Sequence, residues 1–273
     1  MNISPDHIKQ AVAYIKKHET PTPEVGIILG TGLGALINDM SISTIIPYDD
    51  IPHFPVSTVE THSGKLIFGE LMGKSIVAMQ GRFHYYEGYS MPQVVMPVRV
   101  MKLLGIKTLF ISNAAGALNT DFAISDLMLI NDHIDLFPEN PLRGRNLDEF
   151  GDRFPDMWEA YDPELIALAK KVAKNEGINI QEGIYTGVPG PNLETPAEYR
   201  YLAGIGTDAV GMSTIPETIA ARHMGLTVLA ISVITDLCYP AALQKVSITE
   251  IIDAAKRAEP QLTTIFKGLL KEM

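Results

Sequence analysis

The chain has 273 residues, 46% hydrophobic and 20% charged, which fits one large or two small globular domains and excludes a disordered chain. A formal net charge of -10 argues against bulk nucleic-acid binding, so any anionic substrate must be held by local donors against an unfavourable overall field. The single cysteine, Cys238, excludes an internal disulfide and a cysteine-rich metal site; with no charged-then-apolar leader and no apolar run of membrane-spanning length, the expectation is a cytoplasmic, membrane-free protein.

Residues 5–18 read as an amphipathic helix, with Ser4 to cap it, Pro5 at its first position and Ile8, Ala11, Val12 and Ile15 on one face. Val25 to Leu29 reads as a buried strand running into Gly30-Thr31-Gly32-Leu33-Gly34-Ala35. Glycines there let the backbone turn its N–H groups toward an anion, and a helix starting at this point would add its positive end. The same stretch satisfies G-x-G-x-x-G/A, with Asp49 and Asp50 about 20 residues on, so a dinucleotide site and a plain tight turn compete with a phosphate site.

Residues 65–79 read as a hairpin turning at Met72-Gly73. Gly69 to Ser75 falls one residue short of a P-loop and lies between strands, which rejects a Walker motif. Next comes Gln80-Gly81-Arg82-Phe83-His84-Tyr85-Tyr86-Glu87-Gly88-Tyr89. Arg82 offers a planar fork of donors for phosphate, His84 a donor whose charge changes near neutral pH, and an aromatic ring can cover a sugar; the plain alternative is a solvated loop.

Met91 to Leu104 is apolar at helical spacing, with a kink expected at Pro97. A strand over 107–112 is expected to end in Asn113-Ala114-Ala115-Gly116, small residues that let a ligand approach the backbone, and Leu127 to Ile130 reads as another short strand. Residues 137–162 are rich in proline, glycine and charge and lack periodicity, as a lid, a subunit contact or a surface linker would. A helix follows over 163–175, a strand over 178–188, a helix opening at Thr195-Pro196, a short strand over 208–210, a helix over 216–224 and an apolar strand over 226–235. The last helix starts at the Ser247–Glu250 capping box, with a kink expected at Pro260.

Alternating strands and helices imply an α/β sheet covered on both faces, in which ligands bind beyond the carboxyl ends of strands. The unusual stretches follow strands repeatedly: Gly30 to Gly34, Gln80 to Glu87, Asn113 to Gly116, Pro189 to Glu194, Gly211 to Ser213 and Thr235-Asp236. That placement argues one composite site. A dinucleotide gives no reason for Arg82, His84 and Tyr86 together or for Glu194 and Asp236 at later strand ends, whereas a phosphorylated sugar or nucleoside reaction uses them all.

Over nearly its whole length the chain resembles the trimeric purine nucleoside phosphorylases, within the larger family that includes methylthioadenosine phosphorylases. The resemblance rests on Leu29-Gly30-Thr31-Gly32-Leu33-Gly34, His62-Ser63-Gly64, Gln80 to His84, Tyr86-Glu87-Gly88-Tyr89, Asn113-Ala114-Ala115-Gly116, Gly190-Pro191-Asn192-Leu193-Glu194-Thr195 and Val210-Gly211-Met212-Ser213-Thr214. It implies a single domain over residues 1–273, built on a central mixed, twisted β-sheet with helices on both faces. It implies phosphorolysis of purine (deoxy)ribonucleosides to base and α-sugar 1-phosphate in purine salvage, by a homotrimer with small-molecule substrates only. Phosphate is then a co-substrate, and no cofactor or metal is needed.

The resemblance further implies that Thr31, Arg82, His84, Ala114 and Ser213 bind phosphate, with Glu87 orienting Arg82 and His84. Tyr86, Met212 and His62 would serve the ribose, with Phe154 closing a neighbouring subunit's sugar pocket. Glu194, Asp236, Val210 and Val188 would face the purine, which makes His84, Glu194 and Asp236 the catalytic candidates. Two departures bear on the base. Members specific for 6-oxopurines usually carry Asn where this chain has Asp236, and many carry His where it has Ile248. An ionised Asp only accepts, which suits adenine, while a buried neutral one donates, which suits inosine and guanosine. Ile248 would tolerate a 5'-modified sugar, so an adenosine- or methylthioadenosine-preferring phosphorylase is the alternative, and a non-catalytic nucleoside-binding protein the alternative of another class.

Overall fold

In the computed structural model, which describes residues 3–18, 22–56, 64–245 and 247–273, the apolar runs fold as strands and the amphipathic runs as helices. In chain order these are α1 (Pro5–His18), β1 (Val25–Leu29), β2 (Ser41–Pro47), β3 (Lys65–Leu71), β4 (Lys74–Gln80), α2 (Met91–Val94), α3 (Met96–Leu104), β5 (Thr108–Ala117), β6 (Leu127–Asp135), α4 (Pro163–Asn175), β7 (Ile180–Gly187), α5 (Pro196–Gly204), β8 (Ala209–Gly211), α6 (Ile215–His223), β9 (Thr227–Leu237) and α7 (Ile248–Glu272).

The strands form one mixed sheet in the order β2-β3-β4-β1-β5-β8-β7-β6-β9, and β9 turns back to pair with β5. Strands β5, β8, β7, β6 and β9 therefore close a ring. β1 runs parallel to β4 and β5, while β2, β3 and β4 are antiparallel neighbours. Every residue of β1 is buried, as a central strand covered on both faces requires. The β3–β4 hairpin turns at Met72 (φ 52°) and Gly73 (φ 78°), two left-handed residues whose twist matches the strands they join. Helices flank the sheet: α7 lies on β9 and α4, α1 packs on α3, and α3 packs on α6.

The dinucleotide reading fails at the fold. After Gly34 the chain makes one short 3-10 turn, Ala35–Asp39, and then enters the antiparallel strand β2, not a helix and a parallel strand. Only Leu36 and Ile37 of that turn are buried, too short an apolar stripe to anchor a helix on the sheet. Asp49 and Asp50 are exposed.

Two strands outrun their expected ends. β5 continues through Asn113-Ala114-Ala115-Gly116 because Gly116 and Ala117 have ladder partners in both β8 and β9. β6 runs on to Asp135 alongside β7, with an irregularity between Ile130 and Asp132. The break expected at Pro97 divides α2 from α3 at Val95, whereas α7 continues through Pro260. Residues 136–162 contain neither helix nor strand.

Candidate active site

A cavity of about 440 Å³ opens where β1, β4, β5, β8 and β9 end. Of the residues expected at the site, Thr31, Arg82, His84, Tyr86, Ala114, Glu194, Val210, Met212, Ser213 and Asp236 line it. Val188 does not; it packs behind the wall against the cluster that includes Tyr199, Val210 and Cys238. Phe154 lies in a separate groove with His133 and Arg153, 87% exposed. His62 falls outside the described residues.

One end is organised by Arg82. The chain leaves β4 through Gly81 (φ 103°), whose carbonyl accepts from the buried Tyr48 hydroxyl at 2.8 Å. Arg82 is 2% exposed, and its Nη1 donates to Ser213 Oγ at 3.0 Å and Thr214 Oγ1 at 3.2 Å and lies 3.5 Å from Glu217 Oε1. Its Nη2 donates to the Ser112 carbonyl. A guanidinium taken out of water needs a carboxylate beside it, and Glu217, in the first turn of α6, supplies one.

The chain turns sharply at Thr214 (φ 73°, ψ −49°), where Ile215 N donates to Ser213 O at 2.8 Å, a γ-turn of the rare, strained hand. For a β-branched residue this is an outlier. Thr214 Oγ1 is fixed by Arg82 and by Asn113 Nδ2 at 2.8 Å, so the strain is held by partners around the site. Gly30, in the cavity wall, donates its N–H to the buried Ser112 Oγ at 3.2 Å. A Cβ on Gly30 would stand 2.8 Å from the Ser112 carbonyl oxygen, so the glycine lets β1 and β5 approach closely.

His84 and Glu87 face one another in a single turn. Glu87 Oε1 accepts the His84 backbone N–H at 2.8 Å and meets its Nδ1 at 3.0 Å. Burial, aided by Arg82, lowers the His84 pKa against the opposing pull of Glu87. The lowered pKa favours the neutral imidazole, with Nδ1–H on the carboxylate. Tyr86 stacks on it with ring centres 4.6 Å apart, and burial pushes the Tyr86 hydroxyl up to about 12, so it stays protonated.

The other end carries two carboxylates. Asp236 Oδ1 accepts from Thr235 Oγ1 at 2.8 Å and Oδ2 from Cys238 Sγ at 3.1 Å. A Cβ on Gly116 would stand 2.5 Å from Cys238 Sγ and 2.9 Å from Asp236 Oδ2. The absence of a side chain there makes room for these protein groups, and Asn113 to Gly116 also line the cavity, where small residues leave the backbone open to a ligand. Burial raises the Glu194 pKa, and Asp236 adds repulsion. Gly190 (φ 61°) lies directly on Met212, where a Cβ would overlap Sδ. Ser112, which holds Arg82, and Gly116, which backs Asp236, are four residues apart on β5, roughly 13 Å along an extended strand. The Arg82 end and the two-carboxylate end of the cavity are thus well separated along the strand.

A model of the phosphorylase superfamily matches residues 24–271. Over 98% of this chain and 98% of the relative, the sequence is 49% identical to purine nucleoside phosphorylase 1 of Bacillus subtilis (strain 168). The chain belongs to the phosphorylase superfamily, among its purine nucleoside phosphorylases. It is similar to the solved Schistosoma mansoni purine nucleoside phosphorylase in complex with inosine, with a TM-score of 0.93 and 41% identity over 99% of this chain and 97% of that one. The same TM-score of 0.93 and 41% identity, over 99% and 98% of the two chains, are found with the complex of that protein with adenosine.

For a purine nucleoside phosphorylase, sequence reasoning missed Glu217, Thr214 and the pairing of Cys238 with Asp236. Glu217 carried one signal, an acid in the first turn of a helix, but that is an ordinary helix-start preference. Thr214 ends a stretch that had been singled out, yet nothing in its type announces a left-handed backbone.

Proposed function

We propose that the chain is a phosphate-dependent purine nucleoside phosphorylase acting on inosine, guanosine and their 2'-deoxy forms, in cytoplasmic purine salvage, as a homotrimer. What supports this is one observation: a buried, Glu217-backed Arg82 with Ser213 at one end of a 440 Å³ cavity, and Glu194 with Asp236 at the other. Inorganic phosphate is the co-substrate and no cofactor takes part. Thr31, Arg82, His84, Ala114 and Ser213 hold the phosphate beneath the sugar. Tyr86, Met212, His62 and the partner subunit's Phe154 hold the ribose, while Val210, Glu194 and Asp236, with Val188 behind, hold the base. The C–N bond breaks toward a ribosyl cation that the phosphate stabilises and then captures. Glu194 accepts the N1–H of a 6-oxopurine, and a hydrogen bond or proton at N7 eases the departure of the base.

A second reading has its own observation. Both Asp236 oxygens accept hydrogen bonds from protein donors, so the residue offers the base acceptors, which suits the amino group of adenine. Ile248, Ile251 and Ile252 make one wall of the same cavity apolar, which suits a 5'-modified sugar. The deciding experiment is base release from inosine, guanosine, adenosine and 5'-methylthioadenosine, each with and without phosphate. Phosphate-dependent release from inosine and guanosine is expected. Release from the adenine nucleosides alone establishes the second reading, and no release from any of them leaves a nucleoside-binding protein.

A further inference from the structure

A second cavity, of about 350 Å³, lies between the start of α1, the α2–α3 segment, the end of α6 and the irregular stretch 141–147. It shares no lining residue with the nucleoside cavity. Its charged and titratable lining is Arg99, Arg143, Arg145 and His223, with no carboxylate among them. On a chain of formal net charge -10, such a concentration of cationic donors calls for a cause.

Arg99 is the informative residue. It is 4% exposed, as buried as Arg82 in practice, but no Glu217 stands beside it. Among the described residues its side chain makes no hydrogen bond or ion pair; Nη1 is sealed from water without an acceptor, and the guanidinium carbon lies 5.0 Å from the centre of the Phe150 ring. Burial pulls its pKa down to about 10. A buried charge is ordinarily paired, because the desolvation cost runs to several kcal/mol, on the order of 3–5 kcal/mol when a partner is removed. A ring face offsets only part of that.

The rest of the wall points the same way. His223 is buried, and its ring meets only the backbone of Gly151 and Asp152, in a geometry too poor for a full hydrogen bond. Arg143 and Arg145 are exposed and form no ion pair among the described residues. Ser4 and Pro5, at the N-terminus of the 14-residue α1, add the positive end of a helix. Of the acids on the neighbouring stretch, Asp152 lies close enough to act on a charge at His223, whereas Glu149 pairs with Lys9 at 2.8 Å and Asp148 accepts from Asn146 Nδ2 at 2.7 Å.

We propose that this cavity is a phosphate-binding site distinct from the active site, taking inorganic phosphate or the phosphate of a small phosphorylated sugar. Three guanidiniums and an imidazole exceed what two carboxylate oxygens can accept, whereas a tetrahedral dianion presents enough acceptors for all of them. The volume has room for a sugar beside the phosphate. The inference stands independently of the reading of the nucleoside cavity.

The test is calorimetric titration of the whole protein with inorganic phosphate. Two phosphates per chain are expected. Arg145→Ala, which alters one exposed side chain outside the Phe154 groove, should weaken one of them by at least about tenfold and leave phosphorolysis unchanged. Arg99→Met should abolish the same event and raise the melting temperature in phosphate-free buffer, because an apolar side chain then replaces an unpaired buried charge. Repeating the titration with ribose 5-phosphate separates the sources: tighter binding than phosphate assigns the site to a sugar phosphate, weaker binding to the free ion. One phosphate per chain in the unaltered protein, or a second event that survives both variants, overturns the proposal.

Discussion

Glu194 and Asp236 line one cavity as two carboxylates, and the charge of Asp236 opposes the ionisation of Glu194. Burial first, and then Asp236, hold the Glu194 pKa above its ordinary 4.5. If Glu194 accepts the N1–H of a 6-oxopurine it must be ionised, so turnover falls as pH drops through that raised value. Asp236→Asn removes the repulsive charge, and the Glu194 pKa must then move down. The acid limb of kcat/KM for inosine, measured at saturating phosphate, is expected to shift to lower pH. The Asn amide can donate to purine N7, so inosine should gain about tenfold in kcat/KM while adenosine loses, each being one hydrogen bond of roughly 1.4 kcal/mol. An unmoved limb would mean that another group titrates there. His84, whose pKa is lowered, lies at the Arg82 end and, if phosphate binds there, should register in the phosphate KM. Arg82, His84, Tyr86 and Glu87 were legible because they sit within six residues of one another. Glu217 was not, since it meets Arg82 across a separation of 135 residues that only the fold closes.

At the scale of elements, the loop between β7 and α5 and the turn after β8 act as one unit, because Gly190 lies against Met212. Gly190→Ala puts a side chain at φ 61° and into Met212 Sδ, so both backbone strain and overlap oppose it. The expected cost is about 1–3 kcal/mol of stability, read by denaturant unfolding. The expected kinetic effect is a rise in the nucleoside KM with the phosphate KM little changed, because Arg82 and Ser213 are held by other partners. Equal effects on both constants would show that the displacement spreads across the whole site. Strand ends were the part of the fold least visible in the sequence. Asn113 to Gly116 and Asn131 to Asp135 lack strand propensity, and they are extended because β8, β9 and β7 supply ladder partners. The capping box at Ser247–Glu250 was read correctly, since both partners lie within one turn, and the helix start at Thr195-Pro196 carries a second such box with Glu198.

At the scale of the molecule, the alternation of strands and helices was enough to foretell the α/β sheet, but not its closure. The ring through β5, β8, β7, β6 and β9 depends on β9 pairing at both edges, which no local pattern encodes. The irregular stretch was visible as such, and it holds the feature that bears on assembly. Phe154 and Trp158 are 87% and 89% exposed there, four residues apart. Burying each is worth on the order of 1.5–3 kcal/mol, a reason for this surface to meet another copy of the chain. If the partner's Phe154 closes the sugar pocket, Phe154→Ala should raise the nucleoside KM about tenfold and spare the phosphate KM. Complementation then separates a shared site from a local one. Phe154→Ala chains keep Glu194, and Glu194→Ala chains keep Phe154, so each alone is impaired. Mixed assemblies contain sites with an intact Glu194 closed by an intact Phe154 from the neighbour, and activity should return on mixing. A monomeric mass in solution with full activity, or a mixture no more active than its parts, removes Phe154 from the site.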